Sequence, residues 1–205
     1  MSLAFLTAGL LFGAFQALRP YSGGGADTAA EFTSPWWTVA HLSGAAALVA
    51  FAIGIALSTR RGITLLSALV GTGATLLYFG METFALPLLA TRFSGDALTE
   101  AAEQLRMGAP QVTVFGVGLI LVAVAAITFA VRLHLAGLVS TAAAIVFAAG
   151  WATILPQFFG GQPVRLAHGL LMVAGGLWLA ADLRRSARAA TVPTTLDRSE
   201  ASSRL

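Results

Sequence analysis

Six stretches of this chain are apolar over roughly 18 to 22 residues, long enough to cross a ~30 Å hydrocarbon layer as helices. They lie near 2–18, 36–57, 63–87, 111–131, 135–155 and 164–181. A backbone in lipid must satisfy its own polar groups, so runs of this length point to a helical bundle. The fold expected is all-α: an integral membrane bundle of about six transmembrane helices forming one domain over residues 1–185. Breakers fall between the runs at Arg19-Pro20 with Gly23 to Gly25, at Ser58 to Gly62, at Gly108-Ala109-Pro110 and at Gly160 to Pro163. Residues 186–205 are rich in Ser, Thr, Ala and Arg without apolar periodicity, and read as a disordered cytoplasmic tail. The first run lacks a basic segment before it, so it reads as a retained helix rather than a cleaved leader, although Ala14 and Ala17 resemble a small-residue cleavage site.

Composition fits this reading, with 57% hydrophobic and only 10% charged residues. The net charge of +3 would suggest nucleic acid in a soluble domain. Here the basic residues sit between apolar runs, so they report topology, and the expected partner is the lipid bilayer, with no nucleic acid. Arg60, Arg61, Arg132, Arg184, Arg185 and Arg188 fall on one side, and Arg19, Arg92, Arg106 and Arg165 on the other. The richer side is the cytoplasm, which puts both termini there and the protein in the plasma membrane. Asp27, Glu31, Asp96, Glu100 and Glu103 join the outer side, and Trp36, Trp37, Trp151, Phe158 and Phe159 fall near it as an aromatic belt would. The chain has neither lysine nor cysteine, which excludes Schiff-base chemistry, thiolate metal sites, iron–sulfur clusters and cysteine catalysis.

Between residues 94 and 108, Leu98, Ala101, Ala102 and Leu105 recur at helical spacing while Glu100, Glu103, Gln104 and Arg106 face away. This predicts a short amphipathic helix on the outer surface, either a plain connector or a lid. The outward-going helices end alike, at Gly13 to Pro20, Gly80 to Pro87 and Gly150 to Pro156, and each returning helix starts at a proline: Pro35, Pro110 and Pro163. The pattern reads as three related helical hairpins, in which His41 and His168 hold equivalent positions.

Glu82 stands within the third run, where an ionised carboxylate costs several kcal/mol unless it is paired or solvated. Helical steps back from it meet Tyr78, Thr75, Gly71, Ser67 and Thr64, a small or polar face that suits either close helix packing or a route inward. His41 and His168 lie near the depth of Glu82 and share their faces with small residues: Gly44, Ala45 and Ala52 for the first, Gly175 and Gly176 for the second. Gln16, Gln111 and Gln157 sit near the same boundary, while His134 belongs to a polar turn. The expected site is an outer-leaflet pocket around Glu82, His41 and His168 that binds a cofactor or a small apolar ligand, with a b-type haem for membrane electron transfer as one such cofactor.

Four functions fit that constellation. A b-type haem could take axial nitrogens from His41 and His168, with glycines admitting the macrocycle and Arg165 or Arg19 meeting its propionates; Tyr78 and Arg165 join the cofactor-binding set. A proton-coupled transporter could use Glu82, with the Thr64 to Tyr78 stripe as its route. An enzyme acting on a lipid, isoprenoid or quinone-like apolar molecule could use Glu82, His41 and His168 as catalytic acid and bases within walls of Trp36, Trp37, Tyr78, Phe79, Phe84 and Trp151. A subunit of a larger membrane complex would need none of this chemistry.

Overall fold

The structure, a computed structural model, describes residues 1–21 and 28–191. Among them every regular element is helical. The elements are α1 (Ser2–Leu18), α2 (Thr28–Thr33), α3 (Pro35–Ser58), α4 (Ile63–Gly80), a π-helical turn (Met81–Ala85), α5 (Leu86–Ala90), α6 (Gly95–Met107), α7 (Ala109–Leu135), α8 (Thr141–Ala152), a 3-10 turn (Pro156–Phe159) and α9 (Gln162–Thr191). Four helical stretches are long and apolar enough to cross a membrane: Pro35–Ser58, Ile63–Ala90, Ala109–Leu135 and Gln162–Thr191. The other two apolar helices, Ser2–Leu18 and Thr141–Ala152, are shorter.

The six apolar helices α1, α3, α4, α7, α8 and α9 close into a ring in chain order. Helix α1 packs on α3, α3 on α4, α4 on α7, α7 on α8, α8 on α9, and α9 returns to α1. The three expected hairpins, α1 with α3, α4 with α7 and α8 with α9, are thus consecutive segments of this ring. Phenylalanines fill its middle. Phe5 of α1 meets Phe51 of α3 at 6.5 Å, Phe129 of α7 at 5.0 Å and Phe147 of α8 at 5.5 Å between ring centroids, and Phe51 lies 4.2 Å from Trp151. Such rings bury large areas with few rotatable bonds, and truncating one costs about 3–5 kcal/mol where the cavity cannot collapse. The outer surface of the ring is apolar too: Leu57, Leu77 and Leu170 are 65%, 71% and 72% exposed.

Small residues set how closely neighbours approach. A Cβ on Gly9 would stand 2.6 Å from the Met172 carbonyl oxygen, and one on Gly176 would stand 2.7 Å from that of Phe5, so α1 and α9 touch backbone to backbone. Gly71 and Gly118 do the same for α4 and α7. Along the face from Thr64 to Tyr78, Gly71 and Thr75 pack closely against α7. Thr75 Oγ1 donates to the Gly71 carbonyl at 2.8 Å, and the Thr64 and Thr128 hydroxyls meet at 3.0 Å.

Three boundaries differ from expectation. The run near 135–155 yields a helix of only 12 residues, because α7 continues to Leu135, Gly137 turns the chain at φ +69°, and Ser140 caps the start of α8 by accepting from the Ala143 N–H. Thr153 and Pro156 end it. Helix α9 continues through Ser186 to Thr191, six residues into the expected disordered tail; Ala and Arg are good helix formers and extend a helix already nucleated in the bundle. The rest of that tail lies outside the described residues, as do Gly23 to Gly25 and Asp27. Finally, α2 has no counterpart in the expected elements: at six residues it is too short for periodicity to announce.

The amphipathic helix expected near 94–108 is α6, with Leu98 and Ala102 buried against Phe32, Trp37 and Leu86. Helices α2, α5 and α6 together form a small cap over the end of the ring where α1 finishes and α3 begins.

Candidate ligand-binding chamber

Glu82 sits where α4 changes its winding. The π-helical turn precedes Pro87, which brings no N–H for the carbonyls of Thr83 and Glu82, four and five residues before it. Trp37 of α3 supplies one of the missing donors, its Nε1 donating to the Glu82 backbone carbonyl at 2.7 Å. The Glu82 side chain then points inward and is buried.

Its partner is Arg106, from the last turn of α6. The guanidinium binds both carboxylate oxygens, Nε to Oε1 at 2.8 Å and Nη2 to Oε2 at 2.9 Å. Arg106, expected among the outward-facing polar side chains of its helix, therefore turns inward. Four-residue steps from Leu98 through Ala102 reach Arg106, so it shares their buried stripe, a signal that the sequence does carry. Burial opposes the charge on Arg106, but the Glu82 carboxylate and its hydrogen bonds more than offset this and raise the guanidinium pKa above its ordinary value. Arg106 also lies 5.0 Å from the centre of the Phe32 ring and 5.5 Å from that of Trp37.

His41 completes one side. Its Nδ1 stands 2.8 Å from the Trp37 carbonyl, which can only accept, so Nδ1 carries the proton of that hydrogen bond. This leaves Nε2 facing Glu82 Oε2 at 3.5 Å. Tyr78 stacks on Phe115 at 4.0 Å and faces the same carboxylate. These groups line a cavity of about 450 Å³, together with Phe15, Phe79, Phe115, Leu155, Phe158, Phe159, Arg19 and Arg165. That size lies within the ~300–1,000 Å³ of small-molecule sites, and the lining is mostly apolar with a few convergent polar groups.

Glu82, His41, Tyr78 and Arg165 thus share one chamber, but His168 does not join them. Its ring lies 5.4 Å from Phe12, which lies 5.4 Å from Phe15, which lies 5.4 Å from His41, so two phenylalanines stand between the histidines. His168 Nε2 donates to the Gly150 carbonyl at 2.8 Å, satisfying the fraying end of α8. Equivalent positions in two hairpins do not produce equivalent environments, because one histidine meets a carboxylate and the other a helix terminus.

The pair does not fit a bis-histidine haem. One ligating nitrogen is committed to the Gly150 carbonyl, the space between the rings is occupied by Phe12 and Phe15, and the glycines expected to admit a macrocycle are in use. A Cβ on Gly44 would meet the Phe79 ring at 2.5 Å, and one on Gly175 would stand 2.9 Å from the Phe147 Cα. Among the described residues, no group of three or more His, Asp or Glu is arranged to hold a metal ion.

The expected walls are also partly replaced. Tyr78 and Phe79 line the chamber and Trp37 backs it, whereas Trp36 and Phe84 are 55% and 65% exposed on the outside and Trp151 lies in the aromatic core. As a belt, only Trp36 and Phe159 are well exposed, since Trp37 and Trp151 are buried. Gln16 and Gln157 hydrogen-bond to each other at 3.1 Å beside the chamber, with the Tyr21 hydroxyl donating to Gln16 at 3.3 Å; Gln111 stays apart from them. Helical spacing missed Phe15 and Phe115, which look like ordinary span residues until the ring brings their helices together, while Phe158 and Phe159, expected in the belt, line the chamber as well.

Comparison of the chain with known protein families, with curated proteins and with solved structures finds no match.

Proposed function

We propose that the chain is a plasma-membrane protein of six crossing helices, with both termini in the cytoplasm, whose chamber opens at the outer leaflet and binds a small ligand with an apolar body. The arginine distribution supports the orientation, because Arg60, Arg61, Arg132, Arg184, Arg185 and Arg188 all belong to the end remote from the chamber. The two shorter helices would still cross as members of the ring, α8 with the 3-10 turn extending its reach. The single observation that carries the reading is the aromatic chamber containing Glu82, His41 and Tyr78.

A general-acid role for Glu82 is disfavoured because both its carboxylate oxygens accept from Arg106, a pairing that stabilises the deprotonated form. Passage through the bundle is disfavoured by the filled aromatic middle. The test uses 1-dodecanol as an uncharged apolar probe, titrated into full-length protein in neutral detergent and followed by native mass spectrometry. One saturable site is expected. Gly116 borders the chamber and has no atom within 4 Å of an added Cβ, so Gly116→Trp should fill the cavity and weaken binding at least tenfold. Leu170→Trp on the outer surface should leave it intact. Equal binding by wild type and Gly116→Trp would mean that the alcohol sits elsewhere and that the chamber is no site.

A further inference from the structure

The chamber adjoins a second cavity of about 580 Å³ beneath the α2–α6 cap, and Arg19, Arg106 and Arg165 border both. Three guanidinium groups therefore converge at the junction. They are not alike. Arg106 is matched by Glu82, and Glu31 adds to the field around it. Arg19 and Arg165 form no ion pair among the described residues. Arg165 is held by backbone carbonyls, Nε donating to that of Gly160 at 3.1 Å and Nη2 to that of Phe158 at 2.9 Å, and its guanidinium lies 5.5 Å from the centre of the Tyr21 ring. Arg19 lies 4.8 Å from the centre of the Trp37 ring and 5.6 Å from that of Tyr21, and its Nε is buried without a hydrogen-bond partner.

A buried guanidinium nitrogen without an acceptor is costly, and two cations close enough to repel each other add to that cost. Glu82 attracts Arg19 across the chamber but gives its Nε no hydrogen bond, so that nitrogen stays without an acceptor. Glu31 and Glu103 border the outer cavity but not the inner one. Three arginines against one glutamate leave the inner lining with two excess positive charges, taking His41 as neutral. The missing component is an anion at the junction, and the aromatic chamber beside it calls for an apolar chain on the same molecule. A guanidinium fork matches the oxygens of phosphate and carboxylate.

We propose that Arg19 and Arg165 form the head-group subsite for an oxyanion-headed amphiphile, a single apolar chain ending in phosphate or carboxylate whose chain occupies the inner chamber. The assignment rests on the chamber reading above and adds the head group to it. A ligand of this chemistry is either a bilayer lipid such as a lysophosphatidate or a free fatty acid.

The experiment compares dodecyl phosphate, 1-dodecanol and inorganic phosphate on full-length protein in neutral detergent, by calorimetry. Dodecyl phosphate should bind at least tenfold more tightly than 1-dodecanol, with inorganic phosphate far weaker than either. The ratio of phosphate to alcohol affinity should fall at least fivefold in Arg19→Gln and in Arg165→Gln, and should be unchanged in Arg92→Gln, an exposed arginine bordering neither cavity. Adding lysophosphatidate and dodecanoate as competitors separates the two sources. Equal affinity of wild type for dodecyl phosphate and 1-dodecanol overturns the head-group subsite while leaving the chamber standing, and needs no variant to fold. A preference retained in both glutamine variants overturns it as well. No binding of 1-dodecanol to wild type sinks the chamber reading itself.

Discussion

Glu82 and Asp182 are both buried carboxylates, each bound to an arginine, at opposite ends of the ring. Their surroundings separate them. Asp182 Oδ2 accepts from the Ser140 backbone N–H at 2.8 Å and from the Ser140 hydroxyl at 2.7 Å, while Oδ1 meets Arg185. It ties α9 to the start of α8, and its arginine is 72% exposed. Among the described residues, no backbone N–H donates to the Glu82 side chain. It is held by one arginine from a surface helix, with that side chain only 25% exposed, and its remaining sides face His41, Tyr78 and a cavity. The same functional group is structural where the ends of helices consume its lone pairs and site-forming where a side chain and a void share them.

The contrast is tested most severely by Arg106→Ala. Removing the partner strands a buried carboxylate, and the expected loss is about 3 kcal/mol in denaturant unfolding of the detergent-solubilised protein, at the low end of the range because Arg106 is partly exposed. Adding Glu82→Gln to that variant should recover much of the loss, since the carboxylate stranded by the first change is then gone. Asp182→Ala should cost about 1–2 kcal/mol through the lost bonds to Ser140, with 1-dodecanol affinity unchanged. Arg185→Ala should cost at most about 1 kcal/mol, because an exposed ion pair contributes little. Equal losses for the two arginine variants would break the distinction between the ends, and a change in ligand affinity on removing Asp182 would erase it.

Much of this arrangement is legible in the residues. Helix-long apolar runs give the helices, and the four-residue repeat from Leu98 to Ala102 gives α6. Glu82 announces itself because a carboxylate among apolar neighbours needs a reason to be there. Its partner is harder to see: Arg106 belongs to a segment rich in charge, where one more arginine looks like surface. The start of α8 is clear only once Gly137 is known to turn the chain at positive φ. The histidines mislead for a physical reason. Similar depth along two helices says nothing of direction around the ring, and two intervening phenylalanines are enough to put His168 at a helix terminus while His41 faces the carboxylate. Arg19 and Arg165 serve topology counts equally well whether they point to water or to a chamber.

The backbone contact of α1 with α9 has a consequence for biogenesis. The first of the six ring helices to be synthesised finds its tightest neighbour in the last, so the glycine face of Gly9 and Gly13 waits without its mate until nearly the whole chain has emerged. A truncated product ending before Gln162 would keep that face unsealed and leave the phenylalanine centre open along one side, a state that quality-control proteolysis can tell apart from the finished molecule.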